Sequence, residues 1–208
     1  MFITAVILAA GKSTRFPGNK MLYEVVVDGV KDYIVRHTVV KFLNSRTFDE
    51  VAVVVGHESQ SVTEVLKDLK VKFIYNPDYE RGMSSSVIKG VLNVMDYSDI
   101  IAIHPADVPL IKVETLVNVV NRAKDLYKVS REFIVIPKHA TLGKGGHPLV
   151  VGRGLFKELL NIREEERGLK GFLSRFKDRI DYVVTDDAGI IADIDTLDDI
   201  FRLNLATR

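Results

Sequence analysis

The sequence predicts an α/β fold: a doubly wound, mostly parallel sheet with helices on both faces. Three observations carry that prediction. Short runs rich in Val and Ile recur along the first two thirds of the chain, and they are continuous rather than alternating, as strands covered on both faces are. Segments with a helical apolar period separate them. The 208 residues, 47% of them hydrophobic, are enough for one domain with a full core.

The runs at 2–8, 51–55, 71–75, 100–104 and 133–137 read as strands. Val62, Val65, Leu66 and Leu69 form a first helical stripe. Val87, Ile88, Val91, Leu92 and Met95 form a second, and Val113, Leu116, Val120, Ala123 and Tyr127 a third. β-then-α units in this order imply right-handed crossovers. After Pro137 the rhythm changes. Residues 143–148 are a glycine-dense loop, 149–151 a short strand, and Leu155, Phe156, Leu159 and Leu160 mark a helix. Residues 180–184 read as a strand and 196–205 as a last helix, whose Thr196 and Asp199 have capping-box spacing. No repeat, low-complexity tract or linker interrupts the chain.

Charge and composition exclude several classes. Lys and Arg number 29 against 28 acids, which argues against a nucleic-acid or anionic-membrane partner. Cys is absent, which removes disulfides, thiolate metal sites and a Cys nucleophile. The apolar stretch Ala5–Ala10 is far short of a membrane span, and Met1-Phe2-Ile3 lacks the basic start of a secretory signal. A cytoplasmic protein is the expectation.

Ligands of open α/β sheets bind beyond the carboxyl ends of the strands, so the loops after Leu8, Val55, Tyr75 and His104 are the ones to search, and those after Leu8, Tyr75 and His104 carry the motifs. The first, from Leu8 to Lys20, leaves its strand through Ala9, Ala10 and Gly11, then supplies Lys12, Ser13, Thr14, Arg15 and Lys20. Small residues let backbone N–H groups close on a phosphate, and the cations match a polyphosphate. No acid precedes Glu24, so nothing nearby in sequence cancels the three charges. A solvated basic turn is the bland alternative. It is not a P-loop, which would need Gly where Val6 stands, and no Gly-x-Gly-x-x-Gly is present.

In the second loop, Asn76-Pro77 and Gly82-Met83 lead into Ser84, Ser85 and Ser86. Three hydroxyls at a helix start offer an N-cap plus further donors, or capping alone. In the third, Asp107 lies between Pro105 and Pro109, placed for a turn or for Mg²⁺. His147 follows Gly145-Gly146 and either meets a ligand or orders its loop. Asp193 and Asp195 precede the last helix, where carboxylates favour the helix dipole by about 0.3–1 kcal/mol.

Together these motifs resemble the MobA-like nucleotidyltransferases. Leu8, Ala9, Ala10, Gly11, Ser13, Arg15 and Lys20 match the signature loop at the family spacing, with Pro17 where relatives usually have Gly. Asn-Pro…Gly-Met-Ser-Ser-Ser, Asp107-x-Pro, Gly-His147-Pro and Asp193-Ile-Asp195-Thr resemble the molybdenum cofactor cytidylyltransferase branch. A further departure lies at Glu166-Arg-Gly168, where relatives often place Asp two residues before Gly; neither Glu165 nor Glu166 is given a role.

The resemblance implies the Rossmann-like fold of nucleotide-diphospho-sugar transferases and one nucleotidyltransferase domain over 1–208. It implies CMP transfer from CTP to the phosphate of molybdopterin with Mg²⁺, and a molybdoenzyme as recipient of the product. Arg15, Lys20 and Asp107 would be catalytic. Leu8, Ala9, Ala10, Gly11, Ser13, Arg15, Lys20, Asn76 and Ser86 would bind the nucleotide. Gly82, Met83, Ser84, Ser85 and His147 would face the acceptor, and Asp107, Asp195 and Asp193 the metal. The alternatives are GTP with the same pterin, CTP with a sugar or polyol phosphate, and a non-catalytic nucleotide or pterin carrier.

Overall fold

Strand β1 (Ile3–Ala9) is buried along its whole length, because apolar side chains leave it on both sides. Val6 and Leu8 join a core with Val87 and Val91, whereas Ala5, Ile7 and Ala9 join another with Val35, Val39 and Phe42. One strand therefore packs helices on each face of its sheet, as its unalternated apolar run predicts. The computed structural model describes residues 1–206; the last two of the expected 1–208 unit lie outside them.

The elements follow in order as β2 (Glu24–Val27), β3 (Val30–Tyr33), α1 (Ile34–Ser45), β4 (Glu50–Val55), α2 (Ser59–Glu64), β5 (Lys72–Tyr75), α3 (Met83–Val94), β6 (Ile100–Pro105) and α4 (Val113–Tyr127). Then come β7 (Ile134–His139), β8 (Leu149–Gly152), α5 (Phe156–Leu159), α6 (Leu169–Arg175), β9 (Ile180–Thr185) and α7 (Leu197–Arg202). Seven strands form one sheet in the order β5-β4-β1-β6-β8-β7-β9, and β2 pairs with β3 separately. All pairs in the large sheet are parallel except those of β8, which runs against β6 and β7. The chain winds from β1 outward to β5 and then returns to place β6 beside β1. Their carboxyl ends make the switch point at which α/β sheets open a crevice.

One expectation is corrected. The Val62–Leu69 stripe is helical only to Glu64, although Leu66 stays fully buried. Its continuation turns away where the Arg36 guanidinium donates to the Val65 carbonyl and grips Asp68. The strand at 133–137 is followed, as expected, by the glycine loop and a short strand, β8, which runs antiparallel to its neighbours. The β2–β3 hairpin is an addition; its turn is Asp28-Gly29, both at positive φ (52° and 78°), the requirement of a type I′ turn. Its Val25 and Val27 form a separate core with Phe16, Ile34, Ile194 and Ile200. Helices α1 and α6 are likewise additions. Among the described residues no helix is long and apolar enough to cross a membrane.

Candidate active site

Two adjoining cavities open where β1 and β6 end. The smaller, about 390 Å³, is lined by the first loop together with Tyr79, Glu80, Gly82 and Ser86. The larger, about 870 Å³, runs past Ser84, His147 and Glu164 towards Leu169, Leu173 and Tyr182. Arg15, Met83, Pro105, Asp107 and Asp195 line both, so these residues stand at the join.

The first loop doubles back on itself. Ser13 takes a positive φ of 56°, and its hydroxyl accepts the Lys20 N–H at 3.2 Å. Asn19 caps the following turn by accepting the Met21 N–H at 3.0 Å. These contacts aim Lys20 inwards, where only 11% of its side chain is exposed. Its ammonium donates to Asp107 at 2.5 Å and to Asp195 at 3.0 Å. Asp107 follows β6. The segment carrying Asp195 is tied to it by the Ile194 N–H donating to the Asp107 carbonyl at 2.9 Å. Asp195 itself is fixed by the cap of α7, since Asp199 accepts from its N–H at 3.0 Å and closes the capping box with Thr196.

Although no acid lies within the first loop, each of its cations is paired in the fold. Lys12 pairs with Glu80 at 2.5 Å, Arg15 with Asp195 at 2.8 Å, and Lys20 with two carboxylates. The fold brings acids from distant loops to each of them. Burial works against charge at Lys20, but the Asp107 and Asp195 carboxylates outweigh it and hold the ammonium above its usual range. Asp195 is likewise penalised by burial, yet Lys20 holds it below the carboxylate range. Asp193 moves the other way: burial raises it, helped by the neighbouring Asp195 and Asp107 charges.

The expected nucleotide residues Leu8, Ala10, Gly11, Ser13, Arg15, Lys20 and Ser86 all reach the smaller cavity. Ala9 does not; its side chain packs among the residues of the α1 face. Nor does Asn76, which is 1% exposed and donates to the Ser85 and Ser86 hydroxyls at 3.0 Å. On the acceptor side, Ser84 and His147 line the larger cavity, Met83 lines both, and Gly82 lines the smaller one. Ser85 reaches neither, because its hydroxyl donates to the Asp78 and Gly82 carbonyls. No serine is the N-cap of α3. Gly82 takes that position with a φ of 100°.

His147 sits on a loop pinned by its N–H, which donates to the Ile190 carbonyl at 2.8 Å; a Cβ on Gly146 would strike that carbonyl. Burial holds its imidazole below the ordinary value. One residue was not expected. Glu164 receives the Met83 N–H at 3.0 Å and the Ser84 hydroxyl, filling the cap that α3 lacks. Within the run Glu164-Glu-Glu166, nothing in the sequence distinguishes it from its neighbours.

Among the described residues, no three His, Asp or Glu side chains close into a metal cage. Asp107 and Asp195 are hard oxygen donors already holding a cation between them, the Lys20 ammonium. That suits a metal that takes one or two carboxylates and completes its shell from water and phosphate.

A crevice at the switch point, a small-residue loop carrying cations and facing carboxylates define a protein of the nucleotide-transferring α/β class. The family model described as "MobA-like NTP transferase domain" matches residues 5–180, and the chain belongs to that family. The chain is 32% identical over 116 residues to the bifunctional protein GlmU of Aquifex aeolicus, covering 55% of this chain and 24% of GlmU. It spans about a quarter of the length of the curated relatives it matches. A nucleotidyl transferase from Methanothermobacter superposes with a TM-score of 0.79 over 97% of this chain and 95% of that one, at 23% identity. Rv0371c of Mycobacterium tuberculosis gives 0.80 over 98% of both chains at 22% identity, and a structure of it in complex with manganese is also similar. At such identities the structures establish the shared fold.

Proposed function

We propose that residues 1–208 act as one nucleotidyltransferase domain moving CMP from CTP to the phosphate of molybdopterin and releasing pyrophosphate. The observation that carries the reading is the Lys20 ammonium, buried between Asp107 and Asp195 where the two cavities join. The smaller cavity suits the triphosphate against Ala10–Arg15, and the larger, with Ile136, Leu169, Leu173 and Tyr182 on its walls, suits a flat acceptor. Ala10, the serines after Met83, and Asp193 and Asp195 are the residues that favour the cytidyl and molybdopterin assignment by resemblance.

An acceptor phosphate oxygen attacks the α-phosphorus as the bond to the β-phosphate oxygen breaks, and pyrophosphate carries off the electron pair. The phosphate is anionic at neutral pH, so no general base is required. Arg15 and Lys20 offset the charge that grows on the leaving pyrophosphate, by position and preorganised electrostatics. Backbone N–H groups of the first loop hold the phosphates in line. A divalent cation, Mg²⁺ in this reading, would be held by Asp107 and Asp195 with Asp193 beside them, and would supply further charge neutralisation. The implied recipient of the product is a molybdoenzyme.

Pyrophosphate release from CTP, GTP and ATP, with molybdopterin or a sugar phosphate as acceptor, tests the assignment. CTP with molybdopterin should exceed every other pair by at least about tenfold. Equal rates with GTP, or turnover only with the sugar phosphate, would overturn it. Mg²⁺-independent binding without turnover would favour a carrier.

A further inference from the structure

Glu164 lies in the turn before α6 and crosses 80 residues of sequence to reach the start of α3. Its Oε1 accepts the Met83 N–H at 3.0 Å, and its Oε2 accepts the Ser84 hydroxyl proton. Two glycines leave room for this arrangement. A Cβ on Gly82 (φ 100°) would meet the Glu164 carboxylate, and one on Gly168 (φ 53°) would lie 2.8 Å from the Ser84 hydroxyl oxygen. The turn is further held by the Gly168 N–H donating to the Arg163 carbonyl at 2.8 Å.

The consequence is chemical as well as structural. A serine hydroxyl has one proton and two lone pairs, and a carboxylate can only accept. The Ser84 hydroxyl donates its one hydrogen bond to Glu164, so towards the larger cavity it presents lone pairs alone. Ser84 is 6% exposed, and its orientation is not set by bulk water.

We infer that Glu164 is a specificity-determining positioning residue that fixes Ser84 as a hydrogen-bond acceptor, so that the larger cavity selects an acceptor molecule presenting an N–H or NH₂ group there. The inference rests on the reading of that cavity as the acceptor site. A ligand with a carbonyl at the same place sets lone pair against lone pair. The cost is that of a buried polar group left without a partner, about tenfold or more in affinity.

Glu164→Gln tests the polarity with little change in shape. The Met83 N–H is a fixed donor, so the amide oxygen must face it and the amide NH₂ must face Ser84. The Ser84 proton is then free to turn into the cavity. The probes are pterin, with an amino group at C2, and lumazine, with a carbonyl there, titrated by fluorescence into the full chain. The wild type should bind pterin about tenfold more tightly than lumazine, and Glu164→Gln should level or reverse the ratio. Glu164→Asp should keep the preference in part, and Ser84→Ala should abolish it without Glu164 being touched. An unchanged ratio in Glu164→Gln, or no binding of either probe by the wild type, would overturn the inference. Selectivity is read here without turnover, so its failure is separate from a failure of CTP-dependent pyrophosphate release.

Discussion

The Lys20 ammonium lies 2.5 Å from Asp107 Oδ2, joining two residues 87 apart in sequence at the end of the crevice. Because the same ammonium also meets Asp195, removing it leaves two facing carboxylates with no common counter-ion. Lys20→Met should cost about 3 kcal/mol, the low end for breaking a buried pair, since the two acids keep 18% and 22% exposure. Adding Asp195→Asn should restore part of that loss. Urea unfolding of the single and double variants measures both, and turnover of Lys20→Met should fall at least about 100-fold.

The same pair sets a pH window. Asp195 is held below its usual 3.8, so its contribution is present above that pH and lost as pH falls through the folded value. Lys20 is held above its usual 10.5, so its contribution is present below that pH and lost as pH rises through the folded value. Stability of the Lys20→Met variant should therefore run parallel to the wild type between these limits and converge on it outside them.

A second acid limb comes from His104. Its Nε2 meets the Val108 carbonyl at 3.0 Å, its Nδ1 has no partner among the described residues, and burial pushes its pKa down to about 3 from 6.5. A neutral imidazole stabilises the fold above pH 6.5, and this is lost as pH falls towards 3. Each pH unit within that range should remove up to about 1.4 kcal/mol, and His104→Phe should flatten the slope by close to one proton. A pH series of urea midpoints checks it.

Gly82→Ala should damage the site more than its half-buried position suggests. The backbone is at φ 100°, ψ 179°, a region nearly reserved for glycine, and the new Cβ would strike Glu164. A loss of about 1–3 kcal/mol in stability is expected, with weakened substrate binding. Thermal unfolding and the two Michaelis constants measure it.

Glu80→Gln should act in the opposite direction. Glu80 neutralises Lys12 at the rim of the smaller cavity through an exposed pair at 2.5 Å. Freeing Lys12 should lower the Michaelis constant for the nucleotide by about two- to threefold at low salt, with the thermal midpoint unmoved and the gain shrinking at higher ionic strength.

What the sequence makes legible follows from range. The unalternated runs mark β1, β4, β6 and β7 because burial on both faces writes itself into each strand locally, whereas β5, found by the same kind of run, is a half-buried edge strand. Hairpin β2–β3 is equally local, turning at Asp28-Gly29, but its strands are short and half-exposed. Arg15, Lys20, Asp107, Asp193 and Asp195 could be picked out because small residues, prolines and a capping box surround them. Their pairing could not, since it depends on the 187–196 segment folding back onto the exit of β6. Glu164 stayed hidden for the same reason: its partners Met83 and Ser84 are remote, and its neighbours in sequence are also glutamates.

The join between the two cavities is where the proposed cytidyl transfer takes place. Incubation with CTP labelled at the α-phosphate, molybdopterin and Mg²⁺ tests it most directly. Label is expected in a dinucleotide product with wild-type protein, and none with Asp107→Asn. Label remaining in CTP, or appearing only as free CMP, would contradict it.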